Sequence, residues 1–193
     1  MVRAILEGRK TQTRRIVKPQ PETYLGESGM QFEWPGWHGS LSAESFAGRC
    51  PYGQSGDVLW VRETWAAHAT LNRVKPSELS PNVAIYYRAT YHNDSHFTWR
   101  PSIFMPRWAS RIDLEITGVR VERLQSISEA DALAESVDQA LLGNVGWLGT
   151  DAPKDAGYSY RAMFSKLWDR IYAKRATWES NPWVWVVEFR RVK

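Results

Sequence analysis

Apolar positions along this chain change period several times, and each change marks an element. "YSYRAMFSKLWDRIY" (158–172) places Tyr160, Met163, Phe164, Leu167, Trp168, Ile171 and Tyr172 at i, i+3, i+4, i+7, i+8, i+11 and i+12. That spacing predicts one amphipathic helix with an apolar stripe. "VRAILEG" repeats the pattern in brief: Val2, Ile5 and Leu6 share a face, and Gly8 stands where a helix would stop. "SISEADALAES" predicts another helix start, capped by Ser126 with Glu129 or by Ser128 with Asp131.

Period two governs the strands. "VLWVRETW" (58–65) sets Val58, Trp60, Arg62 and Thr64 on one face and Leu59, Val61, Glu63 and Trp65 on the other. "VAIYYRATY" (83–91) is aromatic and β-branched, Ile112, Leu114 and Ile116 alternate within 105–124, and "NPWVWVVEFRRV" (181–192) closes the chain as a strand. Residues 10 to 17 are extended in character and end at Pro19 and Pro21. Residues 22–56 form an irregular excursion anchored by Trp34 and Trp37, 66–82 a polar connection, and 143–157 a glycine-rich loop. There is no repeat, coiled coil or internal linker. Five or so strands with a few inserted helices predict an α+β fold, a small mixed β-barrel in a single domain, 1–193.

Composition adds constraints to this picture. At 193 residues the chain can bury a core without staples, and 43% hydrophobic with 24% charged content excludes a disordered chain. No apolar run approaches the roughly 18 residues of a membrane span. "MVRAILEGRK" has too short an apolar region for a signal peptide, so a cytoplasmic protein without a membrane partner is expected. Cys50 is the single cysteine, which excludes an internal disulfide and reads as a packed or loop thiol.

Charge is concentrated at the start. Arg3, Arg9, Lys10, Arg14, Arg15 and Lys18 face one acid, Glu7, so this segment carries +5 in a chain whose net is +4. Such a run is either an electrostatic grip for an anion or an edge strand guarded against aggregation.

Candidate chemistry is sparse. No glycine-rich phosphate loop and no Ser-His-Asp arrangement is present. His92 and His96 flank Asp94 in a polar stretch that reads as a solvated loop, and His38 and His68 stand alone, so no metal or cofactor is expected. Lys10 and Thr13 are a possible base and nucleophile, because a threonine hydroxyl attacks only if something takes its proton. Neighbouring Arg9, Arg14 and Arg15 would lower the lysine pKa. Strict alternation opposes the idea, since it puts Thr13 and Arg15 on one strand face and Lys10 on the other. Asp131, Glu135 and Asp138 follow i, i+4, i+7, the pattern of a solvated helix face, and Glu63 beside Arg62 suits an edge ion pair.

"ILEGRKTQTRR" (5–15), "GQSGDVLWVRE" (53–63), "ITGVRVERLQSISEADALAE" (116–135) and "WVWVVEFRRV" (183–192) together resemble the ASCH domain, of the PUA-like superfamily of small β-barrels. The resemblance covers most of the chain and is closest to the larger members carried by prophages. Three stretches, at about 20–50, 66–82 and 138–158, are then insertions. A short strand that usually precedes the first helix is missing, which places a natural start upstream of Met1 or leaves the barrel without one edge. The resemblance implies a cleft for RNA or a nucleoside-like ligand. Small bacterial members with this signature hydrolyse the amide of acetylated cytidine, and their site residues correspond to Lys10, Thr13, Arg15 and Glu135. It implies Lys10, Thr13 and Glu135 as catalytic, with Arg15 holding the substrate or the developing oxyanion; beside Arg15, the basic neighbours Arg9 and Arg14 and the strand pair Arg62 and Glu63 are expected to bind substrate. A ribonuclease, a non-catalytic nucleic-acid reader, or a phage interaction protein presenting Trp34 and Trp37 are the alternatives.

Overall fold

The computed structural model describes residues 1–26, 29–36, 39–91, 97–137 and 159–193. Its centre is an antiparallel pair, β8 (Asp113–Arg123) and β9 (Trp183–Arg191), with a register shift between Ile116 and Gly118. β1 (Gln12–Ile16) pairs with the free side of β9, and β5 (Val58–Trp60) with the free side of β8. The order β1-β9-β8-β5 makes a four-stranded antiparallel sheet that curls into a half-barrel. The chain is thus α+β and barrel-like.

Both faces of β9 are buried, which is why "WVWVV" is almost continuously apolar. Val184 and Val186 point into one core with Leu124, Ile127, Met163, Phe164 and Trp168. Trp183, Trp185 and Val187 point into a second, with Val17, Phe32, Phe46 and Cys50. A helix, α4 (Tyr160–Tyr172), closes the first core with the stripe its spacing predicted, although Ile171 stays exposed. Truncating Phe164 or Trp168 to alanine would cost about 3–5 kcal/mol.

The second core is closed by residues that read as irregular. β2 (Glu22–Gly26), β3 (Gly29–Glu33) and β4 (Leu41–Ser42) form their own antiparallel sheet, followed by α2 (Ala43–Ala47). Phe32 stacks on Phe46 at 4.8 Å between ring centroids, and Phe46 stacks on Trp185 at 5.0 Å. Trp34 packs on Phe46 at 4.9 Å and is partly buried against this core. The described part of the excursion is therefore a packed layer. Trp37 and His38, like His92, His96, Asp138 and the 143–157 loop, lie outside the described residues.

"VLWVRETW" is also corrected: it is not one strand. β5 ends at Trp60, and β6 (Trp65–Ala67) pairs instead with β7 (Ile85–Tyr87) in a separate two-stranded sheet. Between them Val61 N–H donates to Ile112 O at 2.9 Å, and Glu63 N–H to Met105 Sδ at 3.2 Å. Glu63 sits at this break because its buried carboxylate is held by Arg111. The 66–82 connection carries the second half of β6 and two short 3₁₀ turns, and buries Leu79. No helix among the described residues is long and apolar enough to cross a membrane.

Candidate functional site

Two short helices end against each other, and their ends assemble the site. α1 (Val2–Leu6) closes with Gly8 at φ +73°, Gly8 N–H donating to Ile5 O at 3.1 Å and Arg9 N–H to Ala4 O at 2.8 Å. This is the Schellman pattern, in which a left-handed residue lets two backbone amides return to the last turn. α3 (Glu129–Ala134) starts at Ser128, whose hydroxyl accepts from Asp131 N–H at 3.1 Å. It closes in the same way: Ser136 at φ +66° donates to Leu133 O at 2.8 Å, and Val137 to Ala132 O at 3.4 Å. The residue that follows the α1 closure is Lys10, and the cap of α3 is Glu135.

Lys10 and Glu135 form an antiparallel backbone bridge, and Thr11 N–H donates to Ala134 O at 3.0 Å. Lys10 thus pairs with the end of α3, whereas β1 pairs with β9 from Gln12 onward. This change of partner removes the alternation objection. Lys10, Thr13, Arg14, Arg15 and Glu135 line one cavity of about 290 Å³. Its other wall is Phe164, Leu167, Trp168 and Tyr172 from α4.

Inside, the Lys10 ammonium donates to Glu135 Oε2 at 2.5 Å and to the Glu135 backbone carbonyl at 3.0 Å. Both side chains are about 6% exposed or less. Burial pushes the Lys10 pKa down; Glu135 pushes it up through charge and a hydrogen bond, and Arg15 and Arg14 push it down again. The net direction is downward. The other oxygen of Glu135 faces Arg14 Nη1 at 3.5 Å, so one carboxylate spans two cations. Thr13 Oγ1 accepts from Arg15 Nη1 at 2.7 Å, which leaves its own proton to donate elsewhere.

Arg14 is 2% exposed and serves the interior. It donates to Glu122 Oε1 at 2.6 Å, Asp131 Oδ2 at 3.2 Å and Gln12 Oε1 at 2.5 Å. Arg120 joins the cluster through Asp131, Glu122 and Glu188. Burial raises the Asp131 carboxyl, but the Gln12 hydrogen bond, Arg120, Arg14 and Ser128 outweigh it and hold the pKa below the usual range. Asp131 and Glu135 are therefore turned inward, where their spacing had suggested a solvated face. Much of the opening charge is balanced locally: Arg9 pairs with Glu7, Lys10 with Glu135, and Arg14 with three carboxylates.

The remaining expected residues lie apart from the cavity. Arg62 stacks over Trp60 at 4.6 Å and donates to Ile103 O. Glu63 is 2% exposed and takes two hydrogen bonds of 2.9 Å from Arg111. Neither lines the cavity, and nor does Arg9. Sequence reasoning missed Gln12, Glu122 and Arg120 as supports. Leu167 and Tyr172, on the stripe that predicts α4, pack beside the first core and also line the cavity. Among the described residues no group of three His, Cys, Asp or Glu side chains could hold a metal ion.

No family model, no curated protein and no solved structure matches this chain.

Proposed function

We propose that the chain is an ASCH-type, PUA-like barrel protein whose cleft hydrolyses the N-acyl amide of a cytidine-type nucleoside. One observation carries the reading: a buried lysine of lowered pKa, a threonine hydroxyl, an arginine and a glutamate line a single cavity. At about 290 Å³ the cavity is at the lower end of ligand-site sizes, roughly 300 Å³ upward, which suits a nucleoside. Aromatic and apolar side chains form one wall, and the reacting groups form the other.

In this mechanism Thr13 Oγ attacks the acyl carbon while Lys10, in its neutral form, takes the hydroxyl proton. Arg15 stabilises the oxyanion that forms. The carbon–nitrogen bond then breaks, and the Lys10 proton, passed through Glu135, goes to the leaving amine. Water attacks the acyl-Thr13 ester, Lys10 removes its proton, and the carboxylic acid leaves as the Thr13 hydroxyl is restored. Lys10 begins in an ion pair with Glu135, so activity depends on loss of that proton.

The test is incubation of the purified protein with N4-acetylcytidine while following release of cytidine and acetate. Turnover that disappears in Lys10→Ala and Thr13→Ala supports the reading. No turnover, or turnover indifferent to both substitutions, overturns it. The 2.5 Å ion pair favours a second reading, a site that binds RNA or a modified nucleoside without turnover, because a lysine so held is a poor base. Binding of N4-acetylcytidine without hydrolysis, or cleavage of RNA instead, would separate these outcomes.

A further inference from the structure

A second cavity, of about 350 Å³, adjoins the first and shares Arg15 and Tyr172 with it. Arg15, Lys18 and Arg175 line it together with Tyr52, Tyr172 and Trp185, and among the described residues no acid lines it. This contrasts with the first cavity, where each buried cation faces a carboxylate. The side chains of Lys18 and Arg175 make no ion pair or hydrogen bond among the described residues, although the Arg175 backbone N–H donates to Tyr172 O at 2.7 Å. Arg15 uses one nitrogen, Nη1, for Thr13 Oγ1 and the Arg14 carbonyl, which leaves the rest of its fork without a partner among the described residues. Two elements supply the positive charge, the end of β1 and the turn after α4, so it is not a single-strand edge device.

Three cations lining one cavity, with no counter-charge among the described residues, suit an anion, and planar rings beside them suit a sugar or a neighbouring base. The geometry points to a phosphate subsite: the ligand is a nucleotide, its base in the first cavity and its phosphate held by Arg15, Lys18 and Arg175. This rests on the base occupying the first cavity, as the proposed function has it. Arg15 then touches both halves of the ligand, joining phosphate recognition to the position of Thr13. The phosphate belongs either to a free nucleotide or to an RNA backbone.

Equilibrium titration of the full chain with cytidine, cytidine 5′- and 3′-monophosphate and the dinucleotide CpC tests this without needing turnover. The phosphate-bearing ligands are expected to bind at least about tenfold tighter than cytidine at low salt, with the gain shrinking as salt rises. In Lys18→Ala/Arg175→Ala the gain is lost while the affinity for cytidine is kept. A gain with either monophosphate marks a free nucleotide as sufficient; a gain with CpC alone marks the backbone. Equal binding of all four, absence of binding, or a gain that survives in the double variant overturns the subsite. The two proposals fail separately. A protein that deacetylates N4-acetylcytidine but shows no phosphate gain keeps the hydrolase and loses the subsite. A phosphate gain without deacetylation does the reverse.

Discussion

Lys10 and Glu135 are joined by a backbone bridge, by a 2.5 Å contact between the ammonium and the carboxylate, and by a 3.0 Å hydrogen bond from the ammonium to the Glu135 carbonyl. They are 125 residues apart in the chain. The pair therefore ties the first helix end to the third, and its energetics belong to the fold as much as to chemistry. A buried charge left without its partner is strongly unfavourable. Glu135→Leu or Lys10→Met alone should lose about 3–5 kcal/mol, and the double variant much less than the sum. Urea unfolding at constant m-value measures this. Strictly additive losses would show that the two charges do not support each other.

The lowered pKa of Lys10 has a sign that can be tested. In the unfolded chain lysine titrates near 10.4, and in the fold lower, so between the two values the unfolded state binds more protons. Stability contributed by this group is thus smallest below the native pKa and rises with pH through that window. Lys10→Met should remove the alkaline rise. If Lys10 is the base, deacetylation increases as it deprotonates. Glu135→Gln, which removes two influences that raise the Lys10 pKa, should move that limb to lower pH, and Arg15→Gln should move it higher. Limbs that stay fixed in both variants would remove Lys10 from the role.

Arg14 and Arg15 are neighbours with different duties. Arg14 is held by Glu122, Asp131, Glu135 and Gln12 at the wall of the first cavity, whereas Arg15 carries no carboxylate partner among the described residues and lines both cavities. Arg14→Lys keeps the charge but not the fork and should lower stability by about 2–4 kcal/mol. Arg15→Gln should lose no more than about 1 kcal/mol of stability while impairing ligand binding. Thermal midpoints beside ligand titrations separate the two, and an equal loss of stability in both would contradict this division.

The same pair shows what was legible in the sequence. "TRR" reads as a basic edge strand, and β1 is an edge strand. Nothing local reveals that Arg14 is buried, because its carboxylates come from β8 and α3, more than 100 residues away. Helix α4, strand β9 and the Ser128 cap were legible because period and capping are local signals. The hairpin of β2 and β3 was not, because its glycines and serine, with Pro21 and Pro35 on either side, resemble loop and only Phe32 marks its inward face. The meeting of Lys10 with Glu135 was obscured by assuming a regular strand, when the chain changes backbone partner at Thr11.

Glu63 offers a contrast outside the cavity. Its carboxylate is held by Arg111, whose guanidinium lies 4.0 Å from the Tyr87 ring centroid. Glu63→Gln should destabilise the protein by about 3 kcal/mol by leaving Arg111 without its charge partner. Nucleoside affinity per folded molecule should be unchanged. A selective loss of affinity, with stability kept, would return Glu63 to the ligand site.

The two left-handed residues that frame the site carry different side chains, and that difference is testable. Gly8, at φ +73°, has open space around a Cβ position, so Gly8→Ala meets only backbone strain and should cost about 1–2 kcal/mol. Ser136 adopts φ +66° with a side chain and so carries that strain already. Ser136→Gly should gain up to about 1 kcal/mol by relieving it, less the extra chain entropy of glycine. Ser136 also lines the cavity and directly follows Glu135, where strain is tolerated if it fixes a working geometry. The gain in urea midpoint should therefore accompany weaker deacetylation, as Glu135 gains freedom relative to Lys10. A Ser136→Gly protein that is both more stable and equally active would show that the left-handed closure of α3 serves the fold alone.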